Sequence, residues 1–226
     1  MSIESLLSYP KSVYVSWRLM GLKYALKAPC RVRFNTRIIS LSGHLTFADD
    51  SLNTNSSFRK PVMSVGFSSV GIFDKRTSPA ILEIRGTLIL EGYVCLGQGA
   101  KISTGTDAIL TFGNNFCNTA EMSVVCYRSI TFGKNVLISW NTLIMDTDFH
   151  ETANLNDGTF SEVTRPVTIG NNVWIGAGCT ILKGSQIADG CVIGASSVVN
   201  KQFNDACCLI AGNPACVRKT GITRHT

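Results

Sequence analysis

The sequence predicts an all-β fold, a parallel β-helix, preceded by a short N-terminal helical segment. The first observation is a recurrence every six residues at Ile169, Ile175, Ile181, Ile187, Ile193 and Val199. An amphipathic helix repeats at 3.6 residues and a half-buried strand at 2, whereas hexapeptide recurrence is typical of a β-helix. The second is that glycine follows at Gly170, Gly176 and Gly194, where a small residue lets the chain bend sharply. Three such hexapeptides close one triangular coil, with the aliphatic side chains stacked inside.

Residues 1–28 are predicted to form a helical cap. Apolar and aromatic residues follow Pro10 at helical spacing: Val13, Tyr14, Trp17, Met20 and Tyr24. Pro10 suits the first turn of a helix, where its missing N–H is not needed. We expect these five residues to cover the open end of the β-helix, and a helix lying at a membrane interface is the alternative.

Residues 29–83 are expected to form irregular early coils and loops. Strands are indicated around Val32, Phe34, Ile38 and Leu41, and residues 45–59 are polar and rich in turn formers, which predicts loops. Residues 62–73 alternate apolar and small side chains and suggest one irregular coil.

Residues 84–204 are predicted to form the regular β-helix. Six-residue phasing is visible in three earlier runs: Ile84, Leu90, Leu96, Ile102 and Ala108; Phe112, Asn118, Val124 and Ile130; Phe132, Ile138 and Ile144. Each restart is an insertion at a corner, which leaves the stacked interior intact. The same apolar-Gly corner with asparagine recurs at residues 112–115, 132–135 and 169–172.

The repeat stops between Ile144 and Ile169, and the intervening residues are polar. A long loop that interrupts a regular solenoid usually carries function, so residues 146–168 are predicted to form an active-site loop. Pro166 ends the interruption, and residues 205–226 are expected to form a C-terminal tail with frayed last residues.

The amino-acid composition and the distribution of charge limit the possible domain organisation and partners. The 226 residues are 45% hydrophobic and only 16% charged, which suits one elongated domain that buries faces against copies of itself. The net charge of +6 comes from residues 1–37, which hold seven basic residues and one acidic residue, while the remainder holds 14 of each sign. This basic end either contacts an anionic surface, such as lipid headgroups or an acidic saccharide, or is simply solvated. No aromatic-interleaved basic groove favours nucleic acid, and no apolar run approaches transmembrane length.

The cysteine pattern indicates a reducing compartment. Nine cysteines occur without a CxxC pair, and the sequence shows no signal peptide. Cys207 and Cys208 are adjacent and make a poor metal pair. We therefore expect reduced cysteines that serve as small fillers in a cytoplasmic protein, with contact at the inner face of the membrane as an open question.

His150 is the candidate catalytic residue. It is the one histidine of three that lies in the polar interruption, between Asp148 and Glu151. An imidazole titrates near neutrality and can take a proton from a hydroxyl as that hydroxyl attacks a carbonyl. A neighbouring carboxylate could hold its tautomer. Taken alone, such a histidine could equally be an ordinary loop residue.

Several segments together resemble a known family. The resemblance spans about residues 84–219 and is carried by residues 130–139, 148–150, 165–177 with the sequence RPVTIGNNVWIGA, 193–201 and 211–215. This order is similar to the hexapeptide-repeat acyltransferases, in particular the maltose and galactoside O-acetyltransferases and the enzymes that acetylate capsule and lipopolysaccharide sugars.

The resemblance implies a left-handed β-helix, a homotrimer with active sites between neighbouring subunits, and acetyl-CoA as acyl donor. By the same resemblance His150 is the general base of a direct transfer. Positions along the pantetheine arm are matched by Trp174, Ala177 and Ala195, and positions near the nucleotide phosphates by Lys201 and Lys219. Trp174 could instead pack between subunits, and Lys201 could be a solvated lysine.

The acceptor is open. Candidates to hold sugar hydroxyls or to orient His150 are Asp146, Asp148 and Glu151. The chain departs from the sugar acetyltransferases at Ala120-Glu121 and near Tyr127-Arg128, so the identity of the sugar or glycan acceptor, and hydroxyl against amine transfer, stay undecided.

Two other functional classes remain in view. A zinc-dependent carbonic-anhydrase-like trimer would need three converging histidines, but His44 and His225 lie far from the regular coils in sequence, so no metal is expected. A non-catalytic β-helix scaffold with a degenerate site is the second alternative.

Overall fold

The fold is known from a computed structural model that describes residues 3–27, 29–48, 62–74 and 76–225. It confirms the predicted fold class, a left-handed parallel β-helix with an N-terminal helical segment. The helices are α1 (Ile3–Met20) and α2 (Leu22–Ala25). None of the helices in the described ranges combines the length and the apolar character needed to cross a bilayer.

The strands are short, as a hexapeptide repeat requires. The first twelve are β1 (Cys30–Val32), β2 (Arg37–Leu41), β3 (His44–Phe47), β4 (Met63–Val65), β5 (Ile81–Ile84), β6 (Thr87–Leu90), β7 (Val94–Leu96), β8 (Lys101–Thr104), β9 (Ile109–Phe112), β10 (Phe116–Asn118), β11 (Ser123–Cys126) and β12 (Ser129–Phe132). The rest are β13 (Leu137–Ile138), β14 (Leu143–Met145), β15 (Val167–Ile169), β16 (Trp174–Ile175), β17 (Thr180–Ile181), β18 (Gln186–Ile187), β19 (Val192–Ile193), β20 (Val198–Val199), β21 (Gln202–Phe203), β22 (Cys208–Gly212) and β23 (Ala215–Thr220).

Consecutive strands enter three sheets in turn, so each strand from β1 to β19 pairs in parallel with the strand three places later. The first sheet has the order β1-β4-β7-β10-β13-β16-β19-β22-β23, the second β2-β5-β8-β11-β14-β17-β20, and the third β3-β6-β9-β12-β15-β18-β21. We name the corners of this triangular prism by the sheets they join. The first edge links the first sheet to the second, the second edge links the second to the third, and the third edge links the third back to the first.

The interior is built from the residues of the six-residue phase. Ile175 lies opposite Ile193 in the register, a step of 18 residues or three hexapeptides. The rings of Phe112 and Phe132 stack with centroids 5.3 Å apart, and both side chains are buried. Continuous burial of apolar surface along the coil is the main stabilising contribution to such a solenoid.

The asparagine corners form a hydrogen-bonded column along the third edge. Asn115, Asn135 and Asn172 adopt left-handed φ angles of 61°, 57° and 57°. Asparagine tolerates this conformation better than most residues. Nδ2 of Asn115 donates to Oδ1 of Asn135, and Nδ2 of Asn135 donates to Oδ1 of Asn172, both at 3.0 Å. The repeated corner motif therefore joins successive coils as well as turning the chain.

The coil begins much earlier than predicted. We expected regular strands from residue 84, yet β1 already pairs with β4, β2 with β5 and β3 with β6. The predicted loop at 45–59 is wrong for residues 45–47, which lie in β3, and residues 49–61 lie outside the described part of the chain. The connections from β3 to β4 and from β4 to β5 are long and break the six-residue spacing, so the early repeat is not visible in the sequence.

The N-terminal helix differs from the prediction in two respects. Pro10 is inside α1 and not in its first turn, because the helix already includes Ile3. The predicted apolar residues are also only partly packed, since Tyr14 and Trp17 are each 44% exposed, whereas Met20 packs against the core. The residues that face the coil are Ser8, Ser12, Val15, Ser16 and Leu19. Three serines thus replace the expected large apolar side chains.

These serines cap the edge of the first sheet. Three backbone N–H groups donate to serine hydroxyls of α1: Cys30 to Ser16 at 3.2 Å, Val32 to Ser12 at 2.9 Å and Phe34 to Ser8 at 3.1 Å. Four residues of helix advance about 6 Å and two residues of strand about 7 Å, so the two series stay in step. The helix therefore satisfies an edge that would otherwise expose unpaired donors.

The opposite end of the prism is closed by a hairpin. Strands β22 and β23 pair antiparallel, with a cis peptide between Asn213 and Pro214 at the turn. The predicted C-terminal tail is therefore ordered through Thr220.

Candidate active site

The polar interruption forms an arm at the second edge, between β14 and β15. Antiparallel bridges join Thr147 to Thr164 and Ala153 to Phe160. The N–H of Asp148 donates to the carbonyl of Val163 at 3.0 Å. The two halves of the interruption thus pair with each other, and the arm has a defined root on the coil.

Asp146 fixes that root. Its side chain is fully buried, and its carboxylate accepts the N–H groups of Tyr127, Arg128 and Ser129, each at 2.7 Å. Three charge-assisted bonds from one turn make Asp146 a structural acceptor. The expectation that Asp146 holds sugar hydroxyls is corrected here, because no part of the side chain reaches the surface.

His150 lies on the outgoing half of the arm and is exposed. The preceding residue, Phe149, has a left-handed φ of 62°, and its ring meets that of Tyr127 edge to face with centroids 4.9 Å apart. Within the described ranges the imidazole of His150 has no hydrogen-bond or ion-pair partner. Both ring nitrogens are therefore open to a ligand, while the backbone beside them is held to the coil.

The neighbouring carboxylates are not bonded to His150. Oδ2 of Asp148 lies 2.6 Å from Nζ of Lys183, so this carboxylate pairs with a lysine of the coil. Lys183 Nζ also donates to the carbonyl oxygen of Glu162. Glu151 is exposed. The prediction that one of these carboxylates orients the imidazole is not supported within a single chain.

An open polar cavity of about 420 Å³ lies beside the root of the arm and is lined by Asp148, Thr152, Ser161, Glu162, Arg165 and Lys183. Arg165 and Glu162 also border a second cavity of about 360 Å³, which includes Arg128, Gln186 and Gln202. The sequence reasoning missed this group of hydrogen-bonding and cationic side chains. Their spacing in the sequence carries no signal, since they come from four separate coils and loops.

The predicted cofactor residues Trp174, Ala177 and Ala195 lie together, but at another corner. Ala177 and Ala195 occupy the first edge on successive coils, and the N–H of Ser196 donates to the carbonyl of Ala177 at 2.8 Å. A Cβ placed on Gly176 would lie 2.7 Å from the nitrogen of Ala195. The coils therefore stack closely here, and the corner is a narrow backbone surface that carries small side chains at Ala177, Ala195 and Ser196. Such a surface fits an extended pantetheine chain.

Trp174 borders this surface. It projects outward from β16 and is partly exposed, and its indole Nε1 donates to Oγ of Ser139 at 3.3 Å. The bond holds the ring across two neighbouring coils, since Ser139 follows β13 and β13 pairs with β16.

The two predicted phosphate-binding lysines are separated. Lys201 is exposed on the second edge, between β20 and β21, with Nζ 5.4 Å from the ring centroid of Phe203. Lys219 is exposed in β23, opposite Leu209 of β22. The single chain does not join them into one phosphate site.

One cysteine, Cys95, differs from the predicted role of a small filler. All nine are free thiols, and burial raises the pKa of Cys30 to about 12. Cys95 and Cys117 lie opposite each other on β7 and β10. A hydrogen bond from Cys117, supplemented by Ser64 and Tyr93, lowers the pKa of Cys95 to about 6. These hydrogen bonds favour the thiolate form of Cys95.

Comparison with known proteins agrees with this architecture. Residues 166–201 match the family model described as bacterial transferase hexapeptide (six repeats). A galactoside O-acetyltransferase of Escherichia coli is 35% identical over 133 residues, which are 55% of this chain and 63% of that protein, so the chain spans less than two thirds of this relative.

Two further proteins extend the comparison. A 24.8 kDa protein in the cps region of Klebsiella pneumoniae is 33% identical over 159 residues, 70% of this chain and 69% of that protein. The crystal structure of the polysialic acid O-acetyltransferase OatWY superimposes with a TM-score of 0.46 at 23% identity, over 85% of this chain and 88% of that one. On the family model and the Klebsiella relative, the chain belongs to the hexapeptide-repeat acyltransferase family.

Proposed function

We propose that this protein is an acetyl-CoA-dependent O-acetyltransferase that modifies a sugar or an intermediate of a surface polysaccharide. The relatives support the class, since one is a galactoside O-acetyltransferase and another is a protein in a cps region. The observation that carries the proposal is the placement of His150. Its imidazole is exposed and unbonded on an arm whose root is locked to the coil by Asp146.

In the proposed reaction His150 acts as general base. Its neutral ring takes the proton of an acceptor hydroxyl as that oxygen attacks the thioester carbonyl of the donor. A backbone N–H stabilises the negative charge that develops on the carbonyl oxygen. When the carbon–sulfur bond breaks, the protonated imidazole returns its proton to the departing thiolate. The products are the acetyl ester and free CoA, and no acyl-enzyme is needed.

The donor is proposed to lie along the first edge. The surface at Ala177 and Ala195 lets an extended chain approach the backbone closely, and Trp174 walls one side of it. Any larger side chain at these corners would fill the path. Lys201 and Lys219 are proposed to neutralise the nucleotide phosphates from separate positions.

A complete site then needs more than one copy of the chain. His150 belongs to the second edge, whereas Trp174, Ala177 and Ala195 belong to the first sheet and first edge of the same prism. The arm pairs with itself and with Lys183, so it stays at its own edge. We propose a homotrimer in which the second edge of one copy faces the first edge of the next, which unites the base and the donor.

The acceptor is proposed to bind beside His150 near the root of the arm, with the exposed carboxylates of Asp148 and Glu151 as candidate acceptors for sugar hydroxyls. Asp148 would have to share its charge with Lys183. The nine cysteines form no disulfide, which supports a cytoplasmic location for the proposed enzyme.

A screen of sugar acceptors tests the proposal directly. Purified protein is incubated with acetyl-CoA and a panel of galactosides, hexosamines and acidic oligosaccharides, and released CoA is measured through its free thiol. We expect acceptor-dependent thiol release with at least one hydroxyl-bearing sugar. Release that depends on amines alone, or none above the acceptor-free rate, would contradict the proposal.

The two competing functions make different predictions. Within the described ranges no group of three histidine, cysteine or carboxylate side chains could hold a metal ion, so the zinc enzyme gains no support. A scaffold with a degenerate site would not bind CoA. A rise in melting temperature with added CoA would therefore favour the enzyme over the scaffold, because a ligand that binds only the native state stabilises it.

A further inference from the structure

The N-terminal helix presents an apolar surface to the outside. Six residues of α1 form what we call the apolar stripe, and all are exposed: Ile3, Leu6, Leu7, Pro10, Tyr14 and Trp17. They recur at intervals of three and four residues, which places them along one side of the helix. The exposed fraction of the stripe's large side chains runs from 44% at Tyr14 and Trp17 to 80% at Ile3.

This arrangement inverts the usual pattern of a surface helix, which turns its apolar side inward. The inward side of α1 is held instead by the hydroxyls of Ser8, Ser12 and Ser16, which bond to the first strand. These serines fix the rotation of the helix. The apolar stripe is therefore held outward by specific hydrogen bonds and cannot be buried by a simple roll of α1.

The apolar surface continues into α2. Leu22 and Leu26 are 77% and 79% exposed, and Gly21 with a left-handed φ of 88° links the two helices. Tyr9, on α1, is also exposed, and its hydroxyl donates to the carbonyl of Leu26. Large apolar side chains gathered on one surface mark an interaction site more often than scattered ones do.

The charge around the stripe indicates which partner fits. Arg18 and Lys23 are exposed beside it, and Glu4 is the one acidic residue among residues 1–37. Glu4 pairs with Arg33, at 2.5 Å, so it does not offset the exposed cations. A second copy docked stripe to stripe would bring like charges together, whereas an anionic surface would neutralise them.

A lipid bilayer offers both partners that this surface needs, apolar acyl chains for the stripe and anionic headgroups for the cations. Tyr and Trp rings with one polar end favour the boundary between headgroups and acyl chains, and aliphatic side chains insert beneath it. We propose that α1 and α2 bind the protein peripherally to an anionic bilayer, with α1 lying in the plane of the interface and its stripe toward the acyl chains. This proposal goes beyond the acetyl transfer and does not depend on it.

Vesicle flotation with the full chain tests the proposal. Purified protein is mixed with phosphatidylcholine vesicles, with or without phosphatidylglycerol, and the bound fraction is measured across a salt series. We expect binding to the anionic vesicles that weakens as salt rises, and little binding to pure phosphatidylcholine. The double variant Leu7→Glu with Trp17→Ser should weaken binding by about tenfold or more, because it removes two inserted side chains.

The matched control is Leu155→Glu, since Leu155 is 97% exposed but lies on the arm, far from α1 in sequence. It should bind anionic vesicles like the wild-type chain. Three results would overturn the proposal: no vesicle binding by the wild-type chain at low salt, equal binding by the stripe variant, or a lower melting temperature of the stripe variant. The last result would mean that the stripe packs against protein, and sedimentation of the wild-type chain and the variant would then identify a second copy.

Discussion

The carboxylate of Asp146 accepts the backbone N–H of Arg128 at 2.7 Å, across two neighbouring coils. With the equivalent bonds from Tyr127 and Ser129, it ties the start of the arm to the corner of the preceding coil. The position of the catalytic candidate four residues later rests on this buried anion.

Replacing Asp146 should therefore cost stability. Asp146→Ala leaves three part-buried backbone N–H donors without their acceptor, and we expect the free energy of unfolding to fall by about 3 kcal/mol. Asp148→Ala removes the ion pair between the half-exposed Asp148 and Lys183, whose Nζ keeps the carbonyl of Glu162 as acceptor, and should lower it by only about 1 kcal/mol. Urea denaturation of both variants measures the difference. Equal losses would show that Asp146 has no special structural role.

Removing the imidazole should abolish turnover without disturbing the fold. We expect His150→Ala to lower kcat by about 10²- to 10⁴-fold, the usual contribution of a general base, with unchanged melting temperature and CoA affinity. His44→Ala is the control, because His44 is exposed on β3, in the early coils. Activity retained by His150→Ala would refute its assignment as the base.

A bulky side chain on the first edge should block the donor. Ala195→Trp places an indole on the surface where pantetheine is proposed to lie, and we expect CoA affinity to fall by at least about tenfold, which corresponds to about 1.4 kcal/mol. Calorimetric titration with CoA measures the effect. Ala206→Trp, at an exposed position outside the regular corner, should bind CoA normally. Normal CoA binding by Ala195→Trp would show that the donor binds at another surface.

Two inactive variants should complement each other. His150→Ala lacks the base, and Ala195→Trp lacks the donor surface, so neither is active by itself. If the site combines the second edge of one copy with the first edge of the next, mixed trimers contain some intact sites. We expect activity to return after the two variants are unfolded together and refolded. A mixture as inactive as its components would show that each site is built within one chain.

Cys95 should be the most reactive thiol near neutral pH. Its pKa is lowered to about 6, chiefly by the hydrogen bond from Cys117, so the thiolate predominates at about pH 7 and is lost as the pH falls through 6. Peptide mapping after brief treatment with iodoacetamide should find Cys95 labelled before the exposed Cys207. The fast phase should vanish in Cys95→Ser. A fast phase that persists there would assign the reactivity to another cysteine.

The repeat was readable from the sequence because its physical requirement is local and recurrent. Each coil needs an apolar residue at every sixth position and a small residue or asparagine at the bend, and residues 84–144 and 169–199 satisfy this at most positions. The early coils failed the same test, because the connections before β4 and β5 are long and shift the phase. His150 stood out for a related reason, as an ionisable residue where the repeat stops.

The sequence by itself determined the coil, the location of the arm and the identity of the candidate base, since periodicity and its interruption are properties of the chain order. Only the tertiary structure decided which face of α1 is buried, because serine hydroxyls could find strand donors there that large side chains could not satisfy. It also decided that Asp146 is internal while Asp148 pairs with Lys183. These outcomes depend on which groups meet between residues 14 or more apart in the chain, and hydrogen bonds of that kind leave no period in the sequence.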